Sequence, residues 1–290
     1  MSSFDPVWLD RQYNNRALVP DHPEILERWS RASALAREKS VCQIDLRYAN
    51  GPNEVLDVFV PRVENAPILV FIHGGYWRSL DKRDVSFVAP SFVQDGAMVV
   101  VPNYALCPAV TIDEMTLQLV RALAWVHDHA RSYGADPARI VVAGHSAGGH
   151  LAAMMLSCLW SQVAQGLPAD LVKSALAISG LFDLEPVRHT PFLMNDLRLT
   201  PESALRLSPA HFAPPRGVLH VTVGAQESDE FLRQSDLIRS RWGAQSVPVC
   251  ERIAQANHFT VLHDFADSNG RQHELALQLL GLAQPETAAP

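Results

Sequence analysis

The sequence predicts an α/β protein built on a mostly parallel central sheet with helices on both faces. Three observations carry that prediction. Short β-rich runs alternate with helical patterns along the chain. The runs in its middle are continuously apolar, as strands buried on both faces must be. A long amphipathic segment joins two of them and has the length of a crossover helix.

Residues 1–40 form a polar, proline-dotted N-terminal extension. QIDLRYA (43–49) and EVLDVFV (54–60) then alternate apolar and polar residues around the turn signal Asn50-Gly51-Pro52-Asn53. They read as an exposed antiparallel hairpin at the sheet edge. PILVFI (67–72), AMVVVP (97–102), RIVVAG (139–144), SALAIS (174–179) and VLHVTV (218–223) supply the buried parallel strands, and PVCERI (248–253) the final one. From Asp113 to Tyr133 the residues Leu119, Leu123, Val126 and Ala130 share one face. Asp113 reads as the cap and Gly134 as the stop of this helix, which links strands 97–102 and 139–144. Between 181 and 217 six prolines and scattered aromatics interrupt the alternation. Structureless loops of that length are uncommon in compact domains, so the segment reads as a small lid inserted above the sheet. No repeat or break in composition marks a second domain, and residues 1–290 are read as one.

Composition narrows the class of function. A hydrophobic fraction of 48% with 19% charged residues suits a globular chain with a sizeable core. The 24 basic against 31 acidic residues, a net charge of -7, leave no basic stripe for nucleic acid. No apolar run reaches the length of a membrane span or a signal peptide, so a soluble, cytoplasmic protein is expected. Cys42, Cys107, Cys158 and Cys250 lie far apart without zinc-type spacing, and they read as reduced, buried thiols.

The chemistry is concentrated in Gly144-His145-Ser146-Ala147-Gly148. This pentapeptide follows the buried strand RIVVAG and leads into the helical run AGGHLAAMMLSCLW, the setting of a nucleophile elbow. A serine there stands at a sharp strand-to-helix turn, and the peptide N–H groups of the helix start favour developing negative charge. Ser146 is the candidate nucleophile and the Ala147 N–H a candidate oxyanion donor. A second donor set follows the strand PILVFI directly, in His73-Gly74-Gly75-Tyr76-Trp77. Its candidates are the N–H groups of Gly75 and Tyr76, supported by Gly74.

A base and an acid should follow the serine in chain order. Of 12 histidines, His258 occupies the polar turn after the last strand and is the candidate general base. His263 falls in the following helix, and His127 and His129 point to different faces of theirs. For the acid, Glu227 comes first and Asp229 second, both just past VLHVTV, with Glu230 read as the start of a helix. Trp77, Tyr104, Phe182, Phe192 and Phe259, with Tyr76, are candidates for an aromatic substrate pocket.

Together these residues resemble the α/β-hydrolase superfamily and, within it, the kynurenine formamidase (arylformamidase) group and its bacterial esterase-like relatives. The motifs HGGYW, GHSAGGHL, LDRQYNNR, SGLFDLEPV and ESDEFLRQS carry the likeness across nearly the whole chain. Animal formamidases place an aspartate where this chain has Glu227, so Glu227 and Asp229 both stay open. The resemblance implies an α/β-hydrolase fold and cofactor-independent, metal-free acyl transfer on a small ester or amide. An aryl formamide such as N-formylkynurenine is the leading substrate, a short-chain acyl or aryl ester the alternative, and a catalytically inactive ligand-binding homologue the remote one. A homodimer is compatible with this reading.

Overall fold

Eight strands form one sheet in the computed structural model of the protein, which describes residues 4–283. The chain enters through α1 (Pro6–Tyr13), α2 (Asn15–Leu18) and α3 (His22–Lys39). Strands β1 (Cys42–Arg47), β2 (Val55–Phe59) and β3 (Ala66–Ile72) follow. Helices α4 (Lys82–Val85) and α5 (Ala89–Gln94) precede β4 (Met98–Pro102), and α6 (Ile112–His129) leads to β5 (Ala135–His145). After β5 come α7 (Ala147–Leu156), α8 (Trp160–Val163) and β6 (Val172–Ile178). Three short helices, α9 (Glu185–Arg188), α10 (Pro191–Leu197) and α11 (Pro201–Arg206), separate β6 from β7 (Val218–Gly224). The chain ends with α12 (Asp229–Ser246), β8 (Cys250–Ile253), α13 (Val261–Ala266) and α14 (Arg271–Leu280).

The strand order is β1-β2-β4-β3-β5-β6-β7-β8. Only the β1–β2 and β2–β4 pairs are antiparallel. The other five, from β3–β4 to β7–β8, are parallel. Side chains alternate across each strand, so every central strand feeds two cores. On β3, Ile68, Val70 and Ile72 join Leu119 and Leu123 of α6, Leu151 of α7 and Phe231 of α12 on one face. Leu69 and Phe71 meet Trp29 of α3, Phe92 of α5 and Phe265 of α13 on the other. Burial on both faces is the reason these strands read as unbroken apolar runs.

Three features depart from the sequence reading. The hairpin is exposed only along β1, because β4 flanks β2 and buries Leu56 through Phe59. Helix α6 is capped by Thr111, whose hydroxyl accepts the Glu114 N–H at 3.3 Å. Asp113 lies in the first turn instead and pairs with Arg206 at 2.9 Å. The helix stops at His129 and tightens into a 3₁₀ turn that ends at Gly134, whose φ of 75° is left-handed. In the 181–217 segment Leu181, Leu184, Val187 and Leu193 enter the main core. The four cysteines are free, with Cys107 buried and the others half-buried. Burial raises the Cys107 and Cys158 thiols to about 11. Among the described residues no helix is long and apolar enough to cross a membrane.

Candidate active site

Ser146 occupies the turn between β5 and α7 with φ 57° and ψ −118°. A non-glycine residue held there stores about 1–3 kcal/mol of backbone strain. The glycines two positions away make the turn sterically possible. A Cβ on Gly144 would fall 2.2 Å from the Gly148 carbonyl oxygen, and one on Gly148 would fall 2.0 Å from that of Ile72. The Ser146 N–H donates to Ile178 O at 2.8 Å, which fixes the turn to β6.

His258 lies in the loop between β8 and α13. Asn257 shapes this loop, its Oδ1 accepting the N–H groups of Phe259 and Thr260 at 2.9 Å each. The imidazole Nε2 is 3.1 Å from Ser146 Oγ, and Nδ1 is 2.6 Å from Glu227 Oε2. A proton on Nδ1 donated to the carboxylate leaves Nε2 free to accept the serine proton. Glu227 Oε1 accepts the Gly224 N–H at 2.7 Å and the Ser179 hydroxyl at 2.5 Å. Both carboxylate oxygens are therefore held, and the group is oriented before any substrate arrives. Asp229, the second candidate for the acid, opens α12 instead, and Glu230 pairs with Arg233 at 2.7 Å and accepts the Tyr13 hydroxyl at 2.6 Å.

Two residues outside the sequence-derived set support this arrangement. Ser179, at φ 51°, orients the Glu227 carboxylate as described. His145 is buried, and its Nε2 donates to the His258 carbonyl at 2.8 Å. Burial lowers the His145 pKa well below the usual histidine value, with the nearby His258 adding to the effect, so the ring is a neutral brace.

The His73–Trp77 loop packs against the elbow. A Cβ on Gly74 would reach 2.7 Å from His145 O and 3.1 Å from Ser146 Cβ, so its backbone lies directly against the serine. The Gly75 carbonyl accepts the N–H groups of Arg78 and Ser79 at 3.1 and 3.0 Å, which fixes the turn of this loop. Tyr104 stacks on His73 with 4.2 Å between ring centroids, and its hydroxyl donates to His73 O at 2.7 Å. Gly75, Tyr76 and Ser146 line one cavity. Ala147, as the first residue of α7, has no intrahelical acceptor for its N–H.

This cavity encloses about 640 Å³ of empty space, counting its mouth. Phe192 and Phe259 line it as the sequence reading proposed, together with Tyr76. Trp77, Tyr104 and Phe182, expected there from sequence, do not line it. Trp77 turns into the core, where its Nε1–H donates to His150 Nδ1 at 3.3 Å. Tyr104 braces His73, and Phe182 is buried beneath Gly180. The wall opposite comes from the N-terminal helices, with Asn14, Asn15 and Arg16 around α2 and Leu26 and Trp29 on α3. Residues 1–40, read from sequence as an extension, thus supply part of the cavity wall, within and beyond the stretch LDRQYNNR.

A strand-ordered sheet of this topology, with a strained serine at a glycine-flanked elbow, defines the class as an α/β-hydrolase. The BD-FAE family profile matches residues 56–166. The chain is 32% identical to a kynurenine formamidase of Danio rerio over 261 residues, covering 86% of each chain. It is 30% identical to that of Salmo salar over 290 residues, covering 96% of this chain and 94% of the other. The crystal structure of a Silicibacter sp. tm1040 protein described as a thioesterase superposes with a TM-score of 0.80 at 29% identity, covering 91% of this chain and 97% of that one. A thermostable carboxylesterase from a metagenomic library gives 0.70 at 21% identity, with 91% and 96% covered. The chain belongs to the kynurenine formamidase family of α/β-hydrolases, and it is a hydrolase.

Proposed function

We propose that the protein is a serine hydrolase that cleaves an aryl formamide such as N-formylkynurenine to formate and the free arylamine. The observation that carries the reading is the Ser146–His258–Glu227 geometry at one wall of an aromatic cavity, with separations of 3.1 and 2.6 Å. Ser146 Oγ attacks the formyl carbon while His258 Nε2 takes its proton, and the Gly75, Tyr76 and Ala147 N–H groups receive the oxyanion. One such donor contributes about 2.7–4 kcal/mol to the transition state. The His258 cation, stabilised by Glu227, returns the proton to the departing arylamine nitrogen. Water then attacks the formyl-serine by the same route, releasing formate. The relatives named kynurenine formamidase support the acyl group, because they match nearly the full chain.

A carboxylesterase reading is the alternative, supported by a match of 32% identity to Esterase LipQ of Mycobacterium tuberculosis (strain ATCC 25618 / H37Rv) over 48% of this chain. Comparing kcat/KM on N-formylkynurenine and p-nitrophenyl acetate separates the two, and a strong preference for the ester defeats the formamidase assignment. Labelling of Ser146 by a fluorophosphonate probe tests the nucleophile, and an unlabelled serine defeats the mechanism.

A further inference from the structure

Glu227 is followed at once by α12, a helix whose first turn is not capped by its own residues. Ser228 holds the cap position, yet its side chain accepts no N–H of that helix. Its Oγ donates instead to the carbonyl of Gln12, on α1, at 2.6 Å. The Glu230 N–H, one of the first in α12 and so without an intrahelical acceptor, donates to Gln12 Oε1 at 3.1 Å. One residue of α1 therefore supplies the missing cap with its side chain and takes the serine hydroxyl with its backbone. Tyr13 adds a third bond, its hydroxyl donating to Glu230 Oε2 at 2.6 Å. Among the described residues, every hydrogen bond from positions 228–230 to a distant part of the chain goes to Gln12 or Tyr13. Before Glu227 the loop is fastened separately, by Ala225 N to Ile253 O at 2.9 Å and Gln226 N to Ala256 O at 3.0 Å.

We propose that Gln12 is a positioning residue for the triad acid, acting by capping α12 from α1. The proposal rests on Glu227 serving as that acid to His258 and Ser146. The β7 and β8 ends hold the loop on one side of Glu227, and Gln12 holds it on the other, so the carboxylate is slung between two fixed points. Its Oε2 stands 2.6 Å from His258 Nδ1 and has to stay there while the imidazole gains and loses a proton. Small displacements of such a group are costly in rate even when the fold is intact. If Gln12 only fastens α1 to the body of the protein, its loss lowers stability or raises KM and is indifferent to what stands at position 227.

A double-mutant cycle on p-nitrophenyl acetate tests this without assuming a formyl group. Gln12→Leu keeps the bulk and removes the acceptor, and is expected to lower kcat by roughly three- to tenfold with KM little changed. Ser228→Ala removes the other half of the exchange without touching α1 and is expected to lower kcat in the same way. In a Glu227→Gln background Gln12→Leu costs less than about twofold, because the carboxylate through which it acts is gone. Arg11→Gln, one position earlier on the exposed side of α1, leaves kcat within about twofold of wild type. An equal loss from Gln12→Leu with and without the Glu227 carboxylate overturns the proposal. So does a Gln12→Leu enzyme that changes only in KM or in melting temperature, or an Arg11→Gln enzyme that loses kcat as much. An undiminished kcat in Glu227→Gln alone is a different failure, since it removes the acid assignment itself and with it any action of Gln12 through that residue.

Discussion

The floor and the far wall of the cavity are built by opposite means. Ser146, Glu227 and His258 each follow a strand end, and short contacts to neighbouring backbone hold them in place. The wall formed by α2 and α3 comes from the chain's first 40 residues, where Ile25 and Trp29 pack into the core and α1 adds polar ties to the rest of the fold. Tyr76 Oη donates to Tyr13 O at 2.6 Å, Ser228 Oγ to Gln12 O at 2.6 Å, and Glu230 N to Gln12 Oε1 at 3.1 Å. Among the described residues the Glu227, His258 and His145 side chains all have protein partners, whereas Asn15 Nδ2 and Trp29 Nε1 have none. Chemistry requires atoms fixed in advance. Substitutions on the floor should therefore strike kcat, and those on the wall KM.

The largest effect is expected at Ser146, the proposed nucleophile. Ser146→Ala is expected to lower kcat by about 10⁶-fold in steady-state assays. A residual rate within tenfold of wild type would show that the floor is not where the reaction occurs. Glu227→Gln follows, with a loss of about 10⁴-fold because an uncharged partner neither holds the tautomer nor stabilises the imidazolium. Asp229→Asn should change kcat by less than about twofold, since Asp229 only opens α12. The reverse order would move the acid.

The joint between floor and cover titrates. His150 accepts from Trp77 and donates through Nε2 to Leu207 O at 2.7 Å, and burial lowers its pKa to about 4. The unfolded chain binds this proton near pH 6.5 and the folded chain only near 4. Stability supplied by the neutral ring is thus complete above 6.5 and is lost as pH falls towards 4. Up to about 3 kcal/mol is involved. Urea midpoints measured across that window should fall less steeply for His150→Gln than for wild type.

Smaller effects refine the contrast. Ser179→Ala removes one of the bonds to Glu227 and should cost about 1.5–3 kcal/mol, read in kcat with KM little changed. Tyr76→Phe cuts the tie between the oxyanion loop and Tyr13, a loss of about 1 kcal/mol read mainly as a higher KM. If kcat falls instead, the wall helps to set the floor and the division between them is too sharp.

Local pattern was enough to reveal the sheet and the elbow. Burial on both faces writes itself into β3 to β7 as apolar runs, and the close approach of backbone at the elbow leaves room only for glycines at 144 and 148. Order along the chain makes His258 the candidate base and Glu227 the first candidate acid, and the fold places these two side chains 2.6 Å apart. Tertiary structure alone decided which side chains meet. Trp77, Tyr104 and Phe182 read as pocket aromatics because an aromatic residue near a motif looks the same whether it faces a cavity or the core. Packing turned all three inward and gave their place to Trp29 and the Asn14–Arg16 turn, more than 100 residues before the serine. A strand end is defined by its own few residues, but a cavity wall is defined by what folds over it.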